Sequence, residues 1–342
     1  MVPLLAGAAI WVATAAAVSL LMALPAAALV ETAGEHDAAS RARIWLAALA
    51  LPPLAGMGAA AWALWLHGRG IAASPHLGGL RPHLCLLPML HAPAGATLLS
   101  AFAWLSLLLM ATAVLRAVGG AVSGHLLRRM MVESGGALPG QAASGPRVLA
   151  VDLRRPTSFT AGVLHPVIVI STALSTRLTN AELAAIVAHE RAHAHRRDNL
   201  LGLLADAFAT LLLPLPTVWH YRRGLRAATE AAADDEAMAG GAQPEALRAA
   251  LATVERAVNG TPHVPSLGAL LIPEPALPAQ RRERLRRMHE RGSAQHSRPG
   301  PARALIAAAV GLAVVVALLL VAGQPVEDSL FCWAEQLMAA VR

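Results

Sequence analysis

The sequence predicts a mainly α-helical, polytopic membrane protein in which four transmembrane helices carry one α+β domain between the third and the fourth. Three observations lead there. The 342 residues are 56% hydrophobic and 14% charged, with a mean hydropathy of +0.52, a balance expected of a chain lodged largely in lipid. Four stretches free of Asp, Glu, Lys and Arg, at residues 3–30, 44–66, 96–115 and 304–323, are each long enough for the roughly 20 helical residues that cross a hydrocarbon core. The long stretch of mixed character between the third and the fourth is of domain size.

The first apolar stretch could also be a cleaved signal peptide, with small residues at 26–28, but it lacks the basic segment that such a leader starts with. Arg placement orients the spans, because basic residues in short flanks stay on the cytoplasmic side. Arg116, Arg128 and Arg129 follow the third span, and eight Arg from Arg281 to Arg303 precede the fourth. The outer loop has only Arg69 and Arg81, and the tail only Arg342. The expected division is therefore a three-helix membrane region at 1–118 with an outward loop at 67–95, a cytoplasmic domain at 119–301, a fourth span at 302–323 and a short extracytoplasmic tail at 324–342, with the N-terminus outside.

That topology puts the only two cysteines, Cys85 and Cys332, on one oxidising face, where they either form a disulfide or remain two thiols near lipid. His67, His76, His83 and His91 crowd the outer loop without regular ligand spacing and read as interfacial histidines. All 28 basic residues are Arg, and the net charge is +7. Because most of that charge flanks membrane segments and no aromatic-basic recognition module is visible, it is topological, and no direct nucleic-acid binding is expected.

Within the domain, a Gly/Ser-rich linker at 135–145 leads to two β-rich runs, 147–153 and 166–171. Separated by turn signals at Pro156 and Gly162, these read as a small sheet or hairpin. Thr179 with Glu182 three residues on forms a capping box that starts a helix. The helix runs into His189–Glu190–Arg191–Ala192–His193, an H-E-x-x-H pattern. Two imidazoles four apart share one helical face and can meet a single Zn2+, with Glu190 beside them as general base toward a zinc-bound water. Downstream, Glu230 and Asp234 are again four apart. Glu230 is the candidate third ligand, and Asp234 is placed to accept a proton from a ligand imidazole.

The apolar run at 200–219 invites a further span, but a full crossing would carry Glu230 to the far side from the histidines. Asp206, Pro214 and Pro216 also disfavour one. A helix packed on the domain, or dipping into the membrane without crossing, is expected instead. Asp198 is a candidate to brace or cap the end of the motif helix. Tyr221, the only tyrosine, is a candidate oxyanion donor or an interface aromatic. His195 lies off the ligand face. The Arg281–Arg291 run reads as a basic helix that meets anionic headgroups or an acidic substrate, and the proline-rich part of 243–299 reads as irregular.

These residues resemble the membrane metallopeptidases typified by the bacterial β-lactam receptors of the BlaR/MecR antirepressor type. Ser158-Phe-Thr-Ala-Gly162-Val-Leu-His-Pro166-Val-Ile-Val is similar to that family's strand region. Ala188 to His193, continuing to Arg197–Asp198–Asn199, is similar to its zinc helix, and Glu230 with Asp234 to its third-ligand segment. The resemblance implies a zincin-like peptidase domain with one catalytic zinc on the cytoplasmic side of a bacterial plasma membrane, switched on by an outside signal and cleaving a cytosolic transcriptional repressor, a small winged-helix protein. The sequence departs from the receptors at the sensor. Only 324–342 follow the last span, and with no Lys neither Ser-x-x-Lys nor Lys-Thr-Gly can be formed. Sensing by acylation is not expected. Two other functions stay open: quality control of membrane proteins, and a non-catalytic zinc-binding receptor or scaffold, against which an intact Glu190 argues.

Overall fold

A computed structural model describes residues 2–33, 37–68, 93–139, 145–259 and 277–291. The expected fourth span, most of the outer loop with His76, His83 and His91, and both cysteines lie outside the described residues.

Three long apolar helices come first: α1 (Val2–Ala33), α2 (Ala38–Gly68) and α3 (Pro93–Ser134). Each contains a segment long and apolar enough to cross a membrane. α1 and α2 pack closely along their length. Trp11 of α1 donates from its indole nitrogen to Pro53 O of α2 at 3.3 Å. α3 has 42 residues, a rise of about 63 Å and so about twice a hydrocarbon core. The sequence places a boundary at 118, but the helix carries on through Arg128 and Arg129 to Ser134 and delivers the chain directly to the sheet.

The sheet has four strands, β1 (Gly136–Ala137), β2 (Val148–Val151), β3 (Ser158–Ala161) and β4 (Val167–Ser171), in the order β1-β2-β4-β3. β2 and β4 match the two β-rich runs, but they lie side by side in parallel, with Val148 opposite Ile168. They are therefore not the two arms of a hairpin. The hairpin partner of β4 is β3, paired antiparallel with Thr160 opposite Ile168, and Gly162 at φ +98° makes the turn out of β3, a conformation that favours glycine. Every residue of β4 is buried. One face of the sheet packs on the motif helix through Ile168, Ile170, Ile186 and Val187, and the other on α3 through Val167, Val169 and Met131.

After a single turn, α4 (Thr172–Ser175), come α5 (Asn180–Arg196), α6 (Asp198–Leu211), α7 (Thr217–Ala239), α8 (Pro244–Asn259) and α9 (Leu277–Arg291). α5 begins at the predicted capping box, with both reciprocal bonds between Thr179 and Glu182 present. The 200–219 run is broken into α6 and the start of α7 by a turn around Pro214 and Pro216. Its apolar face packs against α1 and α2: Ala205, Ala209, Leu212, Val218 and Tyr221 share one core with Ala15, Trp45, Ala48 and Leu49. The basic run is helical, as expected, in α9, and α8 precedes the prolines; the proline-rich segment at 260–276 lies outside the described residues.

Candidate metal centre

The site is built where α5, α7 and α9 meet, with β3 along one side. On α5 the four-residue spacing brings both imidazoles to one face, their ring centroids 4.6 Å apart. On α7, Glu230 and Asp234 share a face for the same reason, and the alanines around them, among them Ala231, Ala232 and Ala233, keep the helix narrow enough to approach closely. His189 Nε2, His193 Nε2 and Glu230 Oε2 lie 3.0, 3.7 and 3.9 Å from one another. The point equidistant from the three is about 2.1 Å from each, the length of a zinc–imidazole or zinc–carboxylate bond. Among the described residues this trio is the cluster of histidine and carboxylate side chains able to hold a metal ion, and its two neutral nitrogens and one carboxylate suit a borderline-soft divalent cation.

Each imidazole is backed by a carboxylate on its other nitrogen. Asp198 Oδ2 sits 2.7 Å from His193 Nδ1, and Asp234 Oδ1 sits 3.0 Å from His189 Nδ1. The second contact has hydrogen-bond length without good alignment. Such partners fix the tautomer and aim the opposite nitrogen at the metal. Asp198 can reach back because Arg197 takes the left-handed conformation, φ 54° and ψ 44°, ending α5 and starting α6 within one residue. Arg196 then ties this corner to α7, with its guanidinium 3.3 Å from Asp198 Oδ2 and 3.4 Å from Thr229 O.

The charges are strongly coupled. Burial would lower the pKa of His193, but the hydrogen bond it donates to Asp198 and the charges of Glu230 and Glu190 outweigh it and raise it. Burial would raise Glu230, but Arg281 and the two imidazoles hold it below the ordinary carboxylate value. Burial would also raise Asp234, yet His189 and then Arg281 bring it down to about 2. Because its folded-state value lies below the unfolded one, Asp234 stabilises the fold above about pH 4, and that contribution disappears as the pH falls toward 2; it amounts to about 2 kcal/mol. Acid unfolding of chelator-treated protein should show this loss between those values, and Asp234→Asn should flatten that part of the curve.

Two side chains that the sequence did not place at the site belong to it. Thr160 of β3 donates its hydroxyl to Glu190 Oε2 at 2.9 Å and lies 3.1 Å from Glu190 O, so the carboxylate of the H-E-x-x-H pattern is held from the sheet side. Arg281 of α9 reaches Glu230 Oε2 with Nη1 at 2.6 Å and grips both oxygens of Asp234, with Nη2 at 2.7 Å and Nε at 3.1 Å. Periodicity on α9 accounts for this. Arg281, Arg284 and Leu285 form its inner face. Leu285 is fully buried against Ala185 and Leu247, and Arg284 holds Asp235 and Ala231 O. On the outer face Arg286 and Arg287 pair with Glu283 and Glu290 of their own helix. The basic run read as a headgroup-binding helix thus has carboxylate partners within the protein.

Tyr221 is not brought to the site. It is fully buried, its hydroxyl donates to Ser19 O of α1 at 2.6 Å, and it lies nine residues before Glu230, about 14 Å along the helix. His195 is exposed and pairs with Glu236 at 2.9 Å.

Three helices long and apolar enough to cross a membrane and a His/His/Glu cluster able to hold a metal ion are the arrangement that a membrane metallopeptidase requires. Residues 148–246 match the family model described as BlaR1 peptidase M56, a stretch that holds β2 through the start of α8 and so all of the centre except Arg281.

Proposed function

We propose that the chain is a zinc-dependent membrane endopeptidase that hydrolyses peptide bonds of a cytoplasmic protein, a transcriptional repressor in the first instance. The observation that carries the reading is the convergence of His189, His193 and Glu230 at bond-length distance from one point, with the Glu190 carboxylate near enough for its charge to act on His193. Zinc bound there would polarise the scissile carbonyl and lower the pKa of water toward neutrality. Glu190 takes the proton of the attacking water and returns it to the leaving amine. Thr160 keeps that carboxylate turned into the site, and Asp198 and Asp234 hold the imidazoles in one tautomer. The repressor as substrate rests on family likeness and not on the site.

A second reading, quality control of membrane proteins, is favoured by one observation: α6 and the start of α7 pack on the same apolar core as α1 and α2, so the centre is built next to membrane-length helices.

Zinc content of detergent-purified protein tests the centre. About one zinc per chain is expected, lost in His189→Ala/His193→Ala and weakened in Glu230→Ala; well-folded wild type without zinc would sink the proposal. Alkaline phosphatase fused after Gly145 should be inactive, because the domain is proposed to face the cytoplasm, and a fusion within the outer loop should be active. Activity after Gly145 would reverse the orientation.

A further inference from the structure

Amide hydrolysis places negative charge on the carbonyl oxygen as water adds, and a hydrolytic site works best when donors already point to where that charge develops. Among the described residues few donors meet that need. Tyr221 is committed to Ser19 O, and Thr160 donates to Glu190. Arg281 is different. Of its five N–H groups, those on Nε and one side of Nη2 are occupied by the two oxygens of Asp234 and one on Nη1 by Glu230 Oε2, which leaves one on each of Nη1 and Nη2 at the end of the fork. The end of the guanidinium, between Nη1 and Nη2, faces the metal-binding trio: Nη1 is 2.6 Å from Glu230 Oε2 and Nη2 is 3.4 Å from His189 Nε2.

We propose that Arg281 donates from this end to the carbonyl oxygen of the scissile peptide as it becomes negative, making it a catalytic residue contributed by a helix outside the stretch that matches the family. This rests on the peptidase reading above. Arg281 moves no proton, since a guanidinium stays charged at any working pH; the proton passes from water to Glu190 and on to the amine, and the arginine only stabilises charge. Its aim is fixed in advance. Asp234 clamps the guanidinium from the side, Leu285 one turn on is fully buried, and Arg284 is bonded to Asp235 and Ala231 O. Asp234 then serves two groups at once, the imidazole of His189 and the guanidinium, which accounts for the complete burial of a carboxylate at that position.

The test uses the full chain in detergent, zinc-loaded, with a quenched fluorescent peptide chosen from a library by wild-type cleavage and a phosphinic peptide of the same sequence as a mimic of the tetrahedral state. In Arg281→Ala, kcat should fall about 100-fold with zinc content unchanged. Affinity for the phosphinic peptide should fall by a similar factor, while the intact peptide binds the Glu190→Gln and Glu190→Gln/Arg281→Ala proteins equally well. Added guanidinium ion should restore part of the loss. Unchanged or increased kcat would overturn the proposal, an increase showing α9 to be a cover over the site, and so would a lower kcat with unchanged phosphinic affinity. Should Arg281→Ala lose zinc or fold poorly, Arg281→Lys decides: it keeps the charge without the fork, and full activity there would overturn the role of the guanidinium. Hydrolysis that is equal in wild type and Glu190→Gln would instead mark failure of the peptidase reading itself.

Discussion

Glu190→Gln protein should keep its zinc and its fold while hydrolysis falls roughly 10³- to 10⁴-fold. The substitution preserves shape and can still pair with Thr160, whose hydroxyl can rotate to suit an amide oxygen. What it removes is the acceptor for the proton of the attacking water. The metal-binding trio does not include Glu190, so zinc content measured beside activity separates loss of the base from loss of the centre. Full activity in this variant would leave a zinc-binding receptor or scaffold as the better account of the chain.

Gly224→Ala should destabilise the protein and weaken the metal centre. A Cβ at Gly224 would lie 2.3 Å from Cε2 of Trp45 and 2.5 Å from its Nε1. The indole cannot yield, because Trp45 is 5% exposed and is wedged against His220, with ring centroids 4.9 Å apart. Relief therefore requires α7 to move away from α2, at a cost of about 1–3 kcal/mol. Glu230 is six residues further along the same helix, so the displacement reaches the metal-binding trio. Thermal melting should drop and zinc should bind more weakly. A variant with wild-type melting and zinc affinity would mean that the two helices are less tightly fitted than these distances require.

What could be read from the sequence follows the range of the interactions concerned. α5 was legible end to end, because a capping box and a four-residue histidine spacing are written within one helix. Glu230 and Asp234 were legible for the same reason once the histidines had been recognised. Thr160 and Arg281 were not. Thr160 meets Glu190 across 30 residues, and Arg281 meets Asp234 across 47, and in neither case does a local pattern say which face will turn inward. Arg281 was further hidden among like residues, since only helix phase separates the inward Arg281 and Arg284 from the outward Arg286 and Arg287. β4 was legible as a strand, but its parallel partner was not, because adjacency to β2 depends on β3 forming the outer hairpin. The continuation of α3 past the charge-free stretch at 96–115 was not legible, because the end of a span shows as a loss of hydropathy while the polar turns of helix that follow carry no such mark, and Gly119, Gly120 and Gly124 lie among them. Two of those glycines are contact points, Gly120 beneath Leu203 and Gly124 beside Val163.

Asn199 carries a consequence for solubility. Its side-chain amide donates to Thr160 O at 2.8 Å and to Gly162 O at 2.9 Å, alternate carbonyls that point away from β4 on the free side of β3. A sheet margin with unsatisfied acceptors is a template on which a second chain can lay down another strand. Here two of those acceptors are already taken by the residue that follows Asp198, so an incoming strand must first displace an amide held at both of its hydrogens. The same short corner that braces His193 thus also guards the sheet against edge-to-edge association.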